Sequence, residues 1–315
     1  MNIKDLKSGL HLDGAQFLIG EVKNCVSNSG KPYLNISLQD NTGKLDAKKW
    51  EVLPGDENIF VAGNVVSLKG DVNLYNNALQ FKILSGEVVP AEMVDVSKFV
   101  ESAPASYEEL KKDLDAFVSS IEDKDIHLLL SSLIKENENA YLTYPAAAKN
   151  HHAYANGLLF HSVSMARLAD QIVKLYPSLN RDLLIAGTLL HDLGKVKELS
   201  GVVATSYTTE GRLMGHLVIA SEMIDRKAKE LGLESEQILL LKHMMISHHG
   251  KLEFGAAKLP ETREALALSI IDDFDAKMEM LRMAYQNVAP GEWTPRIMAL
   301  DGRNFYNAYF VNEKK

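Results

Sequence analysis

The sequence predicts a protein of more than one domain, in which a small all-β barrel precedes an all-α bundle of helices. Residues 13–86 consist of short alternating or β-branched segments separated by turn residues, a pattern typical of strands. From about residue 107, apolar residues recur at three- and four-residue spacing, which indicates amphipathic helices. Eight of the ten histidines lie between residues 151 and 249. The helical half therefore holds most of the candidate metal ligands.

The first half contains five or so predicted strands. Turn signals such as SNSGKP, DNTGK, LPGDE and GDVN separate them. Five strands within fewer than 80 residues are typical of a small barrel. The predicted strand segments are QFLIGEVKNCV, PYLNISLQD, KLDAKKWEV, NIFVAGNVVSLKG and LQFKILSGE.

A connector separates the two patterns. Residues 88–106, VVPAEMVDVSKFVESAPAS, fit neither a strand nor a helix well. We therefore expect a barrel domain at residues 1–90, a linker at 91–106 and a helical domain at 107–315. The stretch from residue 290 onward is irregular and forms a C-terminal extension of the last domain.

Composition excludes several classes of protein. The 315 residues are 46% hydrophobic and 24% charged, as in ordinary globular proteins. There is no run of about 18 apolar residues, so the sequence predicts no membrane span and no membrane partner. The start of the chain lacks the apolar core of a secretory signal. The single cysteine, Cys25, excludes an internal disulfide and a cysteine-built zinc site and favours a cytoplasmic location.

Charge sets a condition on any nucleic-acid partner. The formal net charge is −8, and neither half has the basic balance of proteins that bind duplexes through phosphate contacts. If nucleic acid is bound, aromatic stacking or a metal must contribute part of the binding affinity.

Several histidines and acids fall at or in separate helices that are apolar enough to form a core. A buried imidazole or carboxylate loses its solvation, and several together would be too costly unless something positive held them. A divalent cation does this, and helix bundles place metal ligands on facing helices. The candidate ligands, in chain order, are His161, His191, Asp192, His216, His248, His249 and Asp272.

The adjacent pair His191 and Asp192, in LLHDLGK, suits a site with two ions. A carboxylate has two oxygens and can bridge two metals, while the imidazole beside it binds one. Histidine and carboxylate ligands favour Mn²⁺, with Fe²⁺ or Co²⁺ next, and Mg²⁺ less because it prefers oxygen ligands. Asp273 and Asp275 are rivals for the place of Asp272, and the sequence leaves open which of His248 and His249 is a ligand.

The ordered set resembles the HD-domain superfamily of metal-dependent phosphohydrolases, in the version with two extra histidines. The resemblance implies two ions that share Asp192 between them. It places Lys195 at the lysine of the H-D-x-G-K stretch, where it would neutralise phosphate charge or help position the nucleophile. The alternative is a lysine that only satisfies helix-end carbonyls. The implied ligands are His161, His191, Asp192 and Asp272 for one ion, and Asp192, His216 and His248 or His249 for the other.

The segment GKPYLNISLQDNTGKLDAKKWEV resembles the first strands of nucleic-acid-binding OB-folds of the tRNA-anticodon type. The resemblance implies aromatic side chains that stack on bases and lysines that meet phosphates. Each aromatic could instead belong to the barrel core. The stacking candidates are Tyr33, Trp50, Tyr75 and Phe81, and the phosphate candidates are Lys31, Lys44, Lys48 and Lys49.

Both halves together resemble the YhaM family of bacterial 3′→5′ exoribonucleases, through YPAAAKNHHAYANGLLFHS, LIAGTLLHDLGKVKEL and ISHHGKLEFG. In that family a histidine pair precedes the first ligand. Here it would be His151 and His152, either as phosphate contacts or as structural residues. The resemblance implies hydrolysis of single-stranded RNA to nucleoside 5′-monophosphates through a metal-bound hydroxide, with Asp192 and Lys195 as catalytic residues. Single-stranded DNA is expected as a second substrate, and self-association to a homo-oligomer is left open.

Two activities of other classes compete with this interpretation. One is an HD-type nucleotide or alarmone phosphohydrolase whose barrel is regulatory. The other is a non-catalytic RNA-binding adaptor. Cleavage of small molecules would favour the first, and a lack of bound metal would favour the second.

Overall fold

The computed structural model describes residues 2–27, 29–76, 78–90, 93–95, 98–100, 103–147, 154–203, 205–286 and 288–309. The chain divides into two compact units. We call them the barrel unit, Met1–Ser102 with Gly201–Ser206, and the helical unit, Ala103–Ser200 with Tyr207–Lys315.

The barrel unit is a closed sheet of five strands with one short helix. The strands are β1 His11–Val26, β2 Pro32–Asp40, β3 Gly43–Lys49, β4 Val65–Tyr75 and β5 Ala78–Val88, with a short helix α1 at Asp56–Ile59. The strand order is β1-β2-β3-β5-β4. The pair β3 and β5 is parallel, whereas the other neighbouring strands are antiparallel. This is the five-stranded Greek-key barrel of the OB-fold, so the predicted fold of the first half is confirmed.

Period-two alternation builds the interior of the barrel. In β2 every second residue from Leu34 to Asp40 is buried, as expected for a strand with one face toward a core. Apolar side chains from all five strands meet inside, where the rings of Phe17 and Phe81 lie 6.1 Å apart. The interior is filled by these side chains, which leaves the outer surface and the loops for binding.

The helical unit contains nine α-helices within its described residues. They are α2 Tyr107–Ser119, α3 Lys124–Glu136, α4 Glu138–Thr143, α5 Gly157–Leu175, α6 Arg181–Leu190, α7 Lys195–Glu198, α8 Thr209–Leu231, α9 Glu236–Ser247 and α10 Arg263–Tyr285. The lengths and caps of the helices agree with the sequence pattern, for example at α6, where the side chain of Asn180 accepts a hydrogen bond from the amide of Leu183.

Helix α6 lies at the centre of the helical unit. All eight residues from Leu183 to Leu190 are buried, as expected for a helix that is apolar all round. Gly187 allows α9 to pack closely, because a Cβ there would lie 2.2 Å from the Met244 side chain. His191 is the C-cap residue of α6 and Asp192 follows it, so the end of this buried helix places the His-Asp pair in the interior.

Helix α8 is interrupted one residue before a candidate ligand. Gly215 has φ +72° inside the helix, a conformation that glycine adopts without steric cost. The interruption leaves the amide of His216 free of the helix ladder, and it donates to the carboxylate of Glu198 instead. Within the described ranges, none of the helices has the length and apolar character needed to cross a bilayer.

Candidate metal centre

The structure brings all seven candidate ligands together in the helical unit. They come from helix interiors and helix ends that point inward, and His161, His191, Asp192 and His248 are almost completely buried. His161 lies in α5, His191 and Asp192 follow α6, His216 lies in α8, His248 and His249 follow α9, and Asp272 lies in α10.

One group of side chains meets around His161 and His191. The two Nε2 atoms lie 3.2 Å apart. The Nε2 atom of His161 is also 3.1 Å from Oδ1 of Asp272, and that of His191 is 3.2 Å from Oδ2 of Asp192. We call these four residues the first ligand group.

The other ring nitrogens fix the direction in which these imidazoles face. His191 Nδ1 lies 2.8 Å from the carbonyl oxygen of Thr188, which can only accept, so Nδ1 carries the proton. His161 Nδ1 lies 2.8 Å from a carboxylate oxygen of Asp275 and also donates. In the neutral rings, both Nε2 atoms therefore present lone pairs to each other at 3.2 Å. A proton or a metal ion must lie between them.

A second ligand group repeats this arrangement. The Nε2 atoms of His216 and His249 lie 3.2 Å apart. Their Nδ1 atoms are held by Oε1 of Glu198 at 3.1 Å and by the carbonyl oxygen of Phe254 at 2.8 Å. The lone pairs of the two Nε2 atoms again face each other, so this group also needs a positive charge between them.

His248 completes the second ligand group. Its Nδ1 donates to the carbonyl oxygen of Met245 at 2.7 Å. Its Nε2 is buried without a hydrogen-bond partner among the described residues, which is costly for a polar atom. Burial also lowers the pKa of His248 well below the usual range, and the neighbouring His191 lowers it further. A neutral imidazole with a bare, inward-facing nitrogen is what a metal ligand requires.

Asp192 joins the two groups. Its Oδ2 faces His191, and its Oδ1 lies 3.4 Å from Nε2 of His216 and 3.9 Å from Nε2 of His248. Burial opposes its negative charge, but Lys195, with Nζ 2.6 Å from Oδ2, and His191 hold the pKa of Asp192 well below its ordinary value. The ionised carboxylate can thus bridge two cations.

The same demand for positive charge appears on His161. Burial alone disfavours the imidazolium, but hydrogen bonds to Asp272 and Asp275 outweigh it and raise the pKa of His161 to about 10. Without a metal, a proton on this ring would separate the facing lone pairs. The donor set therefore fits a divalent metal: imidazole nitrogens and carboxylate oxygens converge with their outer atoms already satisfied.

The structure separates the three acidic rivals on α10. Asp272 faces the first ligand group, and Asp275 holds the outer nitrogen of His161. Asp273 is exposed and pairs with Lys277 at 2.6 Å. Both His248 and His249 face the second group, so the geometry offers both residues as ligands.

Sequence reasoning missed how the outer nitrogens are held. Glu198, which accepts from both the amide and Nδ1 of His216, was not a candidate. It lies on α7, three residues after Lys195, and nothing in its type or spacing distinguishes it from an ordinary surface acid. The carbonyl acceptors at Thr188, Met245 and Phe254 carry no side-chain signal.

Replacing Asp275 with asparagine should lower metal affinity about 10- to 100-fold, because partners of a ligand's outer nitrogen typically contribute that much. An amide can still accept from Nδ1 of His161, but it gives the ring less electron density. Isothermal titration with Mn²⁺ measures the change. Asp273→Asn, which removes the same charge from the exposed face of α10, should leave the affinity unchanged. Equal affinities in both variants would contradict a role for Asp275.

The predicted nucleic-acid side chains form a second cluster in the barrel unit. The rings of Tyr33 and Trp50 stack with centroids 4.6 Å apart. The ammonium of Lys48 lies 5.0 Å from the centroid of the Trp50 ring and 5.4 Å from those of Tyr33 and Tyr75. Trp50 and Tyr75 are exposed, so flat aromatic faces beside a cation are open to solvent. We call these four residues the barrel aromatic cluster.

Two of the predicted contacts do not fit the structure. Phe81 is fully buried in the barrel core and cannot stack on a base. Lys49 is also buried, and its Nζ donates to the carbonyl oxygen of Glu51 near Asp56. Its ammonium is therefore paired inside the barrel unit and does not face a phosphate at the surface. Lys31 and Lys44 are exposed and remain candidates. The predicted pair His151 and His152 lies outside the described residues.

Comparison with known proteins agrees with the site. Residues 158–277 match the model of the HD domain, so the fold and the site define an HD-domain protein with a candidate divalent-metal centre, joined to an OB-type barrel. Two relatives are named "3′-5′ exoribonuclease YhaM". The one from Geobacillus sp. (strain WCH70) is 45% identical over 93% of this chain and 91% of its own length. The one from Shouchella clausii (strain KSM-K16) is 43% identical over 98% and 97%. The chain belongs to the YhaM family.

Among solved structures, the second OB-fold domain of replication protein A from Methanococcus maripaludis is similar to part of the chain. It covers 30% of this chain and 98% of its own length, at 16% identity and a TM-score of 0.24. The description of the barrel rests on its own strand order.

Proposed function

We propose that this protein is a metal-dependent 3′-5′ exoribonuclease that hydrolyses single-stranded RNA at the paired ligand groups and releases nucleoside 5′-monophosphates. The main support for the proposal is that unprotonated Nε2 atoms of two histidine pairs face each other on both sides of Asp192. The chain also belongs to the YhaM family. The 3′-to-5′ direction of degradation and the choice of RNA as substrate come from the name of the relatives.

When bound, divalent ions in such a site lower the pKa of water toward neutrality and withdraw charge from phosphate oxygens. The two ligand groups would hold these ions, and Asp192 would be shared between the groups. Lys195 neutralises Asp192, from which its ammonium is 2.6 Å away, and it is partly exposed. It is therefore placed to meet an oxygen of the scissile phosphate as negative charge develops there.

The products follow from the bond that breaks. Water attacks phosphorus, and the bond between phosphorus and the 3′-oxygen of the penultimate nucleotide breaks, so the phosphate leaves on the 5′-carbon of the terminal nucleotide. No step uses the ribose 2′-hydroxyl. Single-stranded DNA should therefore be cut as well, whereas paired, stacked ends should resist.

The barrel, residues 1–90, would hold the RNA upstream of the reacting end. Stacking on the barrel aromatic cluster suits single strands of any sequence, because every base has a flat face. Base stacking also suits a chain with a net charge of −8, because it does not depend on many lysine contacts to phosphates. In this division of labour, residues 107–315 carry out the hydrolysis and residues 91–106 connect the two domains.

Mn²⁺ is the expected metal because the donor set mixes imidazole nitrogens with carboxylate oxygens. The presence of two ligand groups leads us to expect two ions per chain. A cytoplasmic location remains the expectation from the single cysteine. Self-association to a homo-oligomer also remains a prediction, and light scattering of the purified protein tests it.

RNA labelled at its 5′ end tests the activity directly. With Mn²⁺ we expect a ladder of products that shorten from the 3′ end, while RNA labelled at the 3′-terminal nucleotide should release a labelled nucleoside 5′-monophosphate first. EDTA should stop both reactions, and a duplex of the same sequence should resist. Early release of a 5′-terminal mononucleotide would contradict the polarity. Cleavage of free nucleotides without RNA cleavage would favour the phosphohydrolase, and RNA binding without cleavage the adaptor.

A further inference from the structure

The C-terminal stretch of the helical unit is an ordered hairpin. Residues Trp293 and Tyr306 pair as antiparallel partners, as do Ile297 and Arg303. The amide of Thr294 donates to the carbonyl oxygen of Phe305 at 2.9 Å. We call residues 291–307 the C-terminal hairpin.

Side chains fasten this hairpin from within. Thr294 is buried, its hydroxyl accepts from the amide of Phe305, and its carbonyl oxygen accepts from the side chain of Asn304 at 2.7 Å. At the tip, Asp301 and Gly302 have φ +57° and +66°, the conformation that Asp-Gly favours in hairpin turns. The backbone is thus held by specific polar contacts and not by burial of its largest side chains.

Those large side chains face solvent. Trp293 is 64% exposed and Tyr306 is 44% exposed. Their ring centroids lie 5.4 Å apart, because directly paired residues of an antiparallel ladder project to the same side. A single exposed aromatic is ordinary. Two of them held side by side on a fastened hairpin form a preorganised aromatic surface.

We propose that Trp293 and Tyr306 form a second stacking surface for single-stranded RNA, on the catalytic unit itself, distinct from the barrel aromatic cluster. This inference rests on the proposed function. Arginines accompany the rings: Arg296 is exposed, and Arg303 lies over the Phe305 ring at 5.3 Å. Exposed aromatic faces with neighbouring arginines are the composition of single-strand surfaces. Because Glu292 and Asp301 balance the two arginines, stacking and not net charge would supply the affinity.

The distance to the ligand groups sets the length of RNA that can reach this surface. The hydroxyl of Tyr285, at the end of α10, donates to the carbonyl oxygen of Tyr306 at 3.3 Å. Asp272 lies thirteen residues earlier on the same helix, which at 1.5 Å per residue is about 20 Å. About six nucleotides stacked at 3.4 Å each would span that distance. A trinucleotide at the ligand groups would not reach the hairpin.

The two tryptophans of the chain allow the contact to be observed separately at each surface. Trp50→Phe leaves Trp293 as the only tryptophan, and Trp293→Phe leaves only Trp50, so selective excitation of tryptophan over tyrosine reports each residue separately. Each full-length variant is titrated in EDTA with a single-stranded RNA of twelve nucleotides, so that hydrolysis does not interfere. We expect saturable quenching of Trp293. Unchanged Trp293 emission overturns the inference. The response of Trp50 then shows whether RNA binding by the barrel fails as well. Emission that depends on protein concentration and not on RNA overturns it in favour of an interface between copies.

Steady-state kinetics give an independent readout. Trp293→Ala and Tyr306→Ala should each raise KM for the twelve-nucleotide RNA about 5- to 150-fold, with kcat and the KM for a trinucleotide unchanged. Trp293→Phe should restore most of the affinity because it keeps a stacking face. Tyr176→Ala, which removes an exposed aromatic between α5 and α6, is the matched control. Equal KM increases for both RNA lengths, or no increase, would overturn the inference.

Discussion

Asp192→Asn is expected to abolish hydrolysis of single-stranded RNA, with a loss of at least about 1,000-fold in kcat, since metal and charge stabilisation at such sites is worth several kcal/mol and each 1.36 kcal/mol is tenfold. Asp192 is the residue that both ligand groups share, through Oδ2 on one side and Oδ1 on the other. An amide has one acceptor oxygen, so it cannot serve both sides. The change also leaves the partly exposed ammonium of Lys195 without its carboxylate partner at 2.6 Å.

The measurement combines activity, metal content and RNA binding. Metal analysis should show fewer bound ions than in the unaltered protein, while affinity for RNA in EDTA should stay largely intact because the barrel aromatic cluster is untouched. Asp225→Asn, which removes a carboxylate that pairs with Lys242 at the surface, controls for the loss of one negative charge. Full turnover by Asp192→Asn would contradict the role of Asp192 as the ligand shared by both groups.

The convergence of the candidate ligands could be predicted because burying such polar side chains without a compensating charge is costly, and their apolar surroundings are visible in the sequence. His161 and Asp272 sit among apolar residues at helical spacing, and such a placement is unfavourable without a compensating charge. The order of the ligands along the chain then agreed with a known family. What spacing could not decide was which way each residue faces, and Asp272, Asp273 and Asp275 illustrate this. Only the helix phase relative to α5 gives them separate positions.

Local irregularities are the features that the sequence did not reveal. The predicted strand NIFVAGNVVSLKG starts inside a helix of one turn, Asp56–Ile59, and β4 starts only at Val65. A four-residue helix is too short to show a period. The interruption at Gly215 is also invisible, because an isolated glycine within a helical pattern is usually tolerated. The interruption at Gly215 matters because it frees the amide of His216 to donate to Glu198, a residue of a different helix.

The sequence of the C-terminal hairpin looks irregular, although it contains one signal that predicts a hairpin. Asp301 and Gly302 form a strong turn signal, but the flanking residues do not alternate in hydrophobicity. The strands are held by Thr294, Asn304 and Asn307 through side-chain bonds to the backbone. Polar residues that act through such bonds look like loop residues in a sequence. The Asp-Gly pair, with a tryptophan upstream of it, is the sequence feature that could have identified the hairpin.

Removing the metal should both stop the reaction and destabilise the helical unit. In the absence of a cation, the lone pairs of His216 and His249 face each other at 3.2 Å, and the Nε2 of His248 is buried without a hydrogen-bond partner among the described residues. Binding stabilises the folded state by about 4 kcal/mol when the ion is present at 1,000 times its dissociation constant. For a unit of roughly 200 residues, each kcal/mol shifts the unfolding midpoint by about 2–4 °C.

We therefore expect the thermal midpoint of the EDTA-treated protein to rise by about 8–16 °C when Mn²⁺ is restored at one such site, measured by differential scanning calorimetry alongside RNA hydrolysis. Mg²⁺ at the same concentration should give a smaller shift, since it binds imidazole poorly. His248→Ala removes one ligand and should reduce the Mn²⁺ shift. A protein that keeps its activity in EDTA and melts at the same temperature with and without Mn²⁺ would show that protons, and not metal ions, separate the facing imidazoles.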